Sequence, residues 1–539
     1  MGDKLIKDSV HGYINVEASF VKIINTVAFQ RLKRLQQTSY RVLYPSASHD
    51  RFIHSVGVYH LGRQVFKAIY ENTNIDENGK NDINGLIRKW REPFLVACLL
   101  HDIGHAPFSH TCEEFYEPGL FAKLEETLKS QYPKSEIFED FVDNYKRNGT
   151  AKPHEIMSAM MIVKCGSSLC IDDIVKTEDI LDFVIRAILG CPYTSQRSEG
   201  KDERQIKNAL IRIVNSELID VDKLDYIVRD SVISGFRNVD MDLPRLINSF
   251  VFARKKDIIW PMYKHSAQSV IENVFTARGN ATRWIMSHNA VVYESALLQT
   301  AITKAIAAIG IRPDEIFNYN SLTSVGSEII SGTNKRVFRY LGDDDIICLL
   351  KEYIDDSHGI SEIMEYFDRN LRKRAIWKTH SEYVAMLGDI IDPDELARSF
   401  SAFISPEIAP PRLNCINFDT FDDFLKKLPQ ESVGDFKRFF EKLQFDFTKS
   451  SNDEAVFIEY KTSKLTKPIN RDEIFLLYDE NYTSLDKAMG ACDDSNCMPK
   501  TDRGFFVFYK PRIKAIKPRS FIEEYRDRFI KKIDGRIPK

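Results

Sequence analysis

The 539-residue sequence predicts a mainly α fold with a smaller α+β lobe at its C-terminal end. Three observations carry that expectation. Through most of the first 405 residues apolar side chains recur at three- and four-residue spacing, the signature of one helix face. Within that region an unbroken apolar run, residues 94–100, reads as a buried helix. Beyond Asn414 the texture changes, and residues 455–460, 473–478 and 504–509 are β-branched and aromatic runs bounded by turn residues. Pro406, Pro410 and Pro411 mark a tether, which sets the division at 1–405 and 406–539.

In chain order, residues 4–16 alternate around His11-Gly12 and predict a short strand or hairpin. Phe20, Ile23, Ile24, Val27, Phe29, Leu32 and Leu35 put one helix over 18–37. A loop with Pro45 leads into a helix over 51–70, carrying Val58, Leu61, Val65 and Ile69. Residues 72–84, rich in Asn, Asp and Gly, predict a surface loop. The next helix covers 93–103 and stops at Gly104. A helix over 113–130 is followed by a linker to Pro153, then by helices at about 154–165, 172–190, 204–219 and 221–231. Residues 268–308 predict a long helical stretch broken near Gly279-Asn280. Helices return at 343–355, 360–371 and 392–403. The basic, amphipathic tail, 517–539, is expected to dock on its own chain or a sister subunit.

Composition narrows the function classes. Charged residues make up 28% and hydrophobic residues 43%, ordinary for a globular protein. A net charge of -3 gives no overall attraction to nucleic acid or membrane. Nine cysteines, an odd count without a CxxC pair, read as reduced thiols of a cytosol. Cys492 and Cys497 read as two thiols in a polar loop. The first four residues lack a signal core, and no run reaches the ~18 apolar residues of a membrane helix. The expectation is a cytoplasmic protein.

The apolar run ends in His101-Asp102, then Gly104 and His105. An adjacent His and Asp offer one nitrogen and one oxygen ligand from a single anchored point. That donor pair suits Mn, Fe, Ni or Zn, and Mg through the carboxylate. Two ligands do not hold a metal. Further donors stand in Arg51-Phe52-Ile53-His54 and in Asp220-Val221-Asp222. Asp220 and Asp222 point roughly 200° apart on a helix, so only one of them faces the metal easily.

These blocks, with Ser48 to Val58, His101 to His110, His154-Glu155 and Asp220 to Asp230, resemble the HD-domain metal-dependent phosphohydrolase superfamily. The resemblance is to its deoxynucleoside triphosphate triphosphohydrolase branch, with an HD core over about 49–235, and runs from Lys4 to about Arg374. It implies one divalent ion on His54, His101, Asp102 and Asp222, with Asp220 as a helix cap or a support. It implies that His105, paired with Glu113, protonates a leaving oxygen and that His154 adds charge or positioning. The family more often has Asp where Glu113 stands. Arg51, Lys223 and Arg278 correspond to a clamp for the triphosphate. Gln37, Tyr226 and Asp230 match sugar-contacting positions. Where the family carries Tyr-Gln-His-Lys, this chain has Met286-Ser287-His288-Asn289, which leaves deoxy-versus-ribo selectivity open. Lys4, Asn25, Gln30 and Lys33 match an activating-nucleotide site of the vertebrate relatives, with Asn25 in place of an Asp that reads guanine.

The implied function is hydrolysis of a nucleoside triphosphate, a dNTP such as dGTP, to nucleoside and triphosphate. Nucleotide activation, a homo-oligomer (dimer, tetramer or hexamer) and a role in dNTP depletion or anti-phage defence follow from the same resemblance. The alternatives are an HD phosphodiesterase acting on a signalling nucleotide and a catalytically weak nucleotide sensor. A nuclease would show a long basic groove with aromatics, and the sequence has no such stripe.

Overall fold

The computed structural model describes residues 2–74, 83–132, 137–148, 151–194, 200–236, 240–331, 334–354 and 359–375. It also describes short stretches of the remainder: 377–379, 382–383, 387–388, 390–392, 395–396, 398–399, 415–416, 425–442, 455–461, 473–478, 481–489 and 503–509. The boundary at residue 405, Pro406, Pro410, Pro411, Cys492, Cys497 and the 517–539 tail lie outside the described residues, as does part of the 392–403 helix. The chain forms two units. One comprises Met1–Ala281, Ile306–Cys348 and Pro468–Asp493; the other comprises Thr282–Ala305, Leu349–Lys467 and Asp494–Lys539.

The first unit is mainly helical. Its centre is the Arg91–Leu100 helix, whose residues from Phe94 to Leu100 are wholly buried. Burying each Leu or Phe there contributes roughly 1.5–3 kcal/mol. It packs between the Arg51–Asn72 and Glu178–Leu189 helices, with Phe94 against Phe66 and Trp90 against Phe183. The Val221–Ser234 helix packs on the Arg51–Asn72 helix. An N-terminal hairpin pairs Lys4–Asp8 with Gly12–Val16. No helix among the described residues is long and apolar enough to cross a membrane.

Several expected elements differ. The single helix over 18–37 is broken into Ala18–Ile24, Val27–Gln30 and a 3-10 turn, Arg31–Arg34. Thr26 causes the break: its Oγ1 accepts the Phe29 N–H at 3.3 Å and starts a new helix. The helix before His101 ends at Leu100, three residues earlier than expected. Gly104 is therefore not a left-handed cap. A Cβ on it would lie 2.2 Å from the Ser158 nitrogen and 2.8 Å from the His154 carbonyl oxygen, so its role is close backbone approach. The helix placed over 113–130 is a 3-10 turn, Glu113–Phe115, then the Leu120–Gln131 helix. The linker before Pro153 holds an amphipathic helix, Ile137–Asn148. The Gln268–Ala281 helix runs through Gly279-Asn280, and the irregularity comes just after it, as a π turn at Thr282–Met286.

A hairpin absent from the sequence reading, Phe250–Lys255 with Ile258–Lys264, builds a four-stranded sheet with Phe475–Tyr478 and Asn481–Ser484. Phe475–Tyr478 pairs in parallel with Ile258–Lys264. The second unit carries the other two expected strands, Ala455–Lys461 and Arg503–Tyr509, paired antiparallel and flanked by Cys415–Ile416 and Arg374–Ala375.

Candidate active site

Three helix termini position the site. The Arg51–Asn72 helix is capped by Asp50, whose carboxylate accepts the Ile53 N–H at 3.0 Å, and this fixes Arg51 and His54 in its first turn. The buried Arg91–Leu100 helix delivers His101 and Asp102 at its end. Asp220 caps the Val221–Ser234 helix by accepting the Lys223 N–H at 2.7 Å, which places Asp222 in the first turn.

His54, His101, Asp102 and Asp222 converge. His54 Nε2 lies 3.1 Å from Asp222 Oδ1 and 3.5 Å from Asp102 Oδ2. His101 Nε2 lies 3.3 Å from Asp102 Oδ1 and 3.8 Å from Asp222 Oδ1. His101 Nδ1–H donates to the Cys98 carbonyl at 3.0 Å, and His54 Nδ1 meets Asp225 Oδ2 at 2.8 Å. Both outer nitrogens are thus engaged, and both Nε2 atoms turn inward. Those two Nε2 atoms are buried without a hydrogen-bond partner of suitable geometry.

The electrostatics point the same way. Burial would lower the His54 pKa, but Asp222, Asp225 and Asp102 raise it to about 10. Burial would raise Asp222, but His101 and His54 hold it well below the usual carboxylate range. Two imidazoles and two carboxylates therefore surround a space that favours positive charge, with Asp225 behind His54 adding to the field. An N2O2 donor set with inward, unpartnered nitrogens fits a divalent transition ion.

A second cluster adjoins the first. His105 Nε2 is 3.1 Å from Asp102 Oδ1, and His105 Nδ1 is 2.8 Å from Glu113 Oε1. The same Glu113 oxygen lies 3.0 Å from His154 Nδ1 and 2.9 Å from His110 Nδ1. The rings of His105 and His154 stack at 3.8 Å with 15° between their planes. Parallel rings cannot both aim in-plane lone pairs at one ion, so this group suits proton handling better than a second metal. Burial, Arg51 and His154 lower the His105 pKa to about 3, against the pull of Asp102 and Glu113.

The cations are partly occupied. Arg51 is buried, donates to Ser109 Oγ at 2.7 Å and pairs with Asp102. Lys223 pairs with Asp220 and donates to the Ser216 carbonyl at 2.6 Å. Arg278 donates to the Glu217 carbonyl at 2.8 Å. Of the sugar candidates, Gln37 keeps a buried Oε1 without a partner, Tyr226 is half-buried, and Asp230 is taken by His49 Nε2 at 2.9 Å. Met286 lies in the second unit, at the end of the π turn, and is 43% exposed. At the other candidate site Lys4 Nζ is 3.5 Å from Asn25 Oδ1. Gln30 donates to the Ile24 carbonyl, and Lys33 covers the Phe52 ring.

Residues 51–180 match the HD domain family. That span holds His54, His101, Asp102, His105, Glu113 and His154. The chain carries an HD domain. Its sequence is similar to the deoxynucleoside triphosphate triphosphohydrolase SAMHD1 of Mus musculus, 31% identical over 258 residues, 47% of this chain and 34% of that protein. A protein of Acanthamoeba polyphaga mimivirus named for its HD domain is 29% identical over 309 residues, 56% of this chain and 57% of its own. An uncharacterized protein of Mycoplasma genitalium is 25% identical over 383 residues, 70% and 76% of the two chains. The match to the mouse protein thus spans about a third of that protein's length. A crystal structure of a hypothetical protein from Aquifex aeolicus shares the fold, with a TM-score of 0.56 and 17% identity over 98% of this chain and 99% of that one.

The HD domain also relies on residues the sequence reading passed over. Asp225 holds His54 and accepts from Arg229 Nε at 2.7 Å and Nη2 at 3.0 Å, and it lies 2.6 Å from His11 Nε2. Arg229 Nη1 donates to Asp8 at 2.7 Å. The signal was available as helical spacing: Asp225 lies three residues after Asp222, and Arg229 four after Asp225. Lys152, just before His154, is another omission. Desolvation would lower its pKa, but Glu155, Asp222 and Glu113 raise it, which puts an exposed ammonium in the field of both clusters.

Two predictions arise here. Asp225→Asn should weaken metal binding by about 10–100-fold, as for other residues that orient a histidine ligand; a competitive chelator titration reads this. Burial alone would raise the Asp225 pKa, but His11, His54 and Arg229 depress it strongly. The stability it contributes is present above the unfolded carboxylate value of about 4 and lost as pH falls below it. The acid-side fall in Tm should therefore be shallower in Asp225→Asn. Second, Gly57→Ala should destabilise the fold by about 3 kcal/mol or more, read by denaturant unfolding. A Cβ there would lie 2.1 Å from Asp225 Oδ1 and 2.4 Å from Arg229 Nη2, forcing that buried pair apart.

Proposed function

We propose that this chain is a metal-dependent phosphohydrolase that splits a deoxynucleoside triphosphate, dGTP being one candidate, into nucleoside and inorganic triphosphate. The observation that carries the reading is the contact between the two clusters, His105 Nε2 lying 3.1 Å from Asp102 Oδ1. A proton-handling imidazole so close to a metal-binding set is what cleavage of a phosphate ester needs. The name of the mouse relative supports the choice of substrate.

His54, His101, Asp102 and Asp222 would hold the ion. When bound, such an ion supplies Lewis acidity toward a phosphoryl oxygen and water. Arg51, Lys223 and Arg278 offset the charge of the triphosphate, with Arg51 exchanging Asp102 for phosphate oxygen. Water adds at the α-phosphorus as the bond to the 5′-oxygen breaks. His105 gives its proton to that oxygen; Glu113 fixes the imidazole and, with Asp102, favours its charged form against burial, Arg51 and the stacked His154, and phosphate on Arg51 offsets one of those opposing charges. Gln37, Tyr226 and Asp230 face the sugar in this reading. An activating nucleotide at Lys4, Asn25, Gln30 and Lys33 and a homo-oligomeric assembly extend the proposal.

Chromatographic analysis of purified protein with Mn or Mg, against each dNTP and NTP singly and in mixture, tests it. Nucleoside with triphosphate from a dNTP is the expected product pair. Turnover confined to mixtures would support the activating site. Release of mono- or diphosphate, or no triphosphate under any condition, would overturn the reading.

A further inference from the structure

A cavity of about 610 Å³ lies on the first unit. Residues of the Arg51–Asn72 and Ile83–Lys89 helices and the start of the Arg91–Leu100 helix line it. Its lining shares no residue with the HD site. Four cations line it, Arg63, Lys67, Arg88 and Arg91, with His60, Gln64, Phe66 and Tyr70 and the apolar stems of the cations forming much of its wall, and no carboxylate is among its described lining residues.

Among the described residues, the acids beside this cavity are Glu17, Glu71 and Glu92, fewer than its cations. Glu17 accepts from Arg91 Nη1 at 3.0 Å and lies 2.9 Å from Arg63 Nε, so one carboxylate serves two guanidinium groups. Glu71 stands 3.7 Å from Lys67, but both are largely exposed, and such a pair contributes little. A concave surface of one sign focuses its field on an anion. Guanidinium forks match phosphate geometry, and Glu17 pre-orders two of them. His60 Nδ1 is buried without a hydrogen-bond partner. The Tyr70 ring is 41% exposed and offers a flat face beside the cations.

We propose that this cavity binds a phosphate chain, free or carried by a nucleotide, at a site separate from the HD centre. Its volume is within the range of small-ligand pockets and suffices for a nucleoside triphosphate. The site also has a route to the HD centre. The His60 ring lies 5.4 Å from that of His11, His11 Nε2 is 2.6 Å from Asp225 Oδ1, and Asp225 Oδ2 is 2.8 Å from His54 Nδ1. The proposal does not depend on the reaction assigned above.

Isothermal titration of the full chain with inorganic triphosphate, in EDTA, tests it. Lys67 and Arg88 are exposed, so the Lys67→Glu/Arg88→Glu variant should fold, and an unchanged circular dichroism spectrum verifies this. Should that variant not fold, Arg88→Ala is the milder substitute, with a loss of about 3-fold expected. The expected result is a site whose affinity falls by about 10-fold or more in the double variant and is kept in Lys223→Ala. Binding equal in wild type and double variant, binding lost in Lys223→Ala instead, or no binding at about 1 mM would overturn the proposal. A second titration with α,β-imido-dATP separates the two sources. Tighter binding than triphosphate, weakened by Tyr70→Ala, assigns a nucleotide. Equal affinity, indifferent to Tyr70→Ala, assigns the bare phosphate chain.

Discussion

His101→Ala is expected to yield a folded protein that has lost both its metal and its turnover. His101 lies at the end of a buried helix, and its Nε2 faces only Asp102 and Asp222, the carboxylates of the same donor set. Removing it therefore leaves a small gap and an incomplete donor set. The loss of turnover should exceed about 1,000-fold, since even residues that only orient a ligand cost about 10–100-fold in affinity or activity. Asp102→Ala is the less clean variant. Asp102 also pairs with buried Arg51, and an uncompensated buried charge costs about 3–5 kcal/mol. Metal content by mass spectrometry, alongside circular dichroism, separates the two effects. Full turnover in a folded, metal-free His101→Ala protein would contradict the assignment.

His105→Ala is expected to do the opposite: keep the metal and lose the chemistry. His105 touches Asp102 but makes its shortest contact with Glu113. If it delivers the proton to the leaving oxygen, its loss should lower kcat by about 100- to 10,000-fold. Glu113→Gln should fall in the same direction. It keeps the shape of the side chain but removes the charge that three imidazoles share. A His105→Ala protein that loses its metal would place His105 in the donor set instead.

The parts of this protein that were legible in its sequence are those with a local signature. The buried run before His101 could be read from composition alone, and the site blocks from their order. The Phe250–Lys255 and Ile258–Lys264 hairpin could not, because its two-residue turn is Lys256-Asp257. Both adopt positive φ, 47° and 64°, without the glycine that usually announces such a turn. Nor could the parallel pairing of Phe475–Tyr478 with Ile258–Lys264, which joins segments some 200 residues apart in sequence and has no local pattern. The spacing of Asp222, Asp225 and Arg229 puts them on neighbouring positions of one helix face, but spacing alone does not show what that face meets. The role of Asp225 and Arg229 exists only where Gly57 lets one helix approach another. Phe108 and Ser109, consecutive non-glycine residues at φ 54° and 53°, are a similar case. Their strained turn is held by Asp343, which accepts the Phe108 N–H at 2.6 Å, and it presents Ser109 to Arg51.

Attack at the α-phosphorus with departure of the 5′-oxygen leaves an isotopic record in the products. Hydrolysis of a dNTP in ¹⁸O-labelled water, with mass spectrometry of both products, tests it most directly. The account predicts one ¹⁸O atom in the triphosphate and none in the nucleoside. Label in the nucleoside, or in a mono- or diphosphate product, would contradict it.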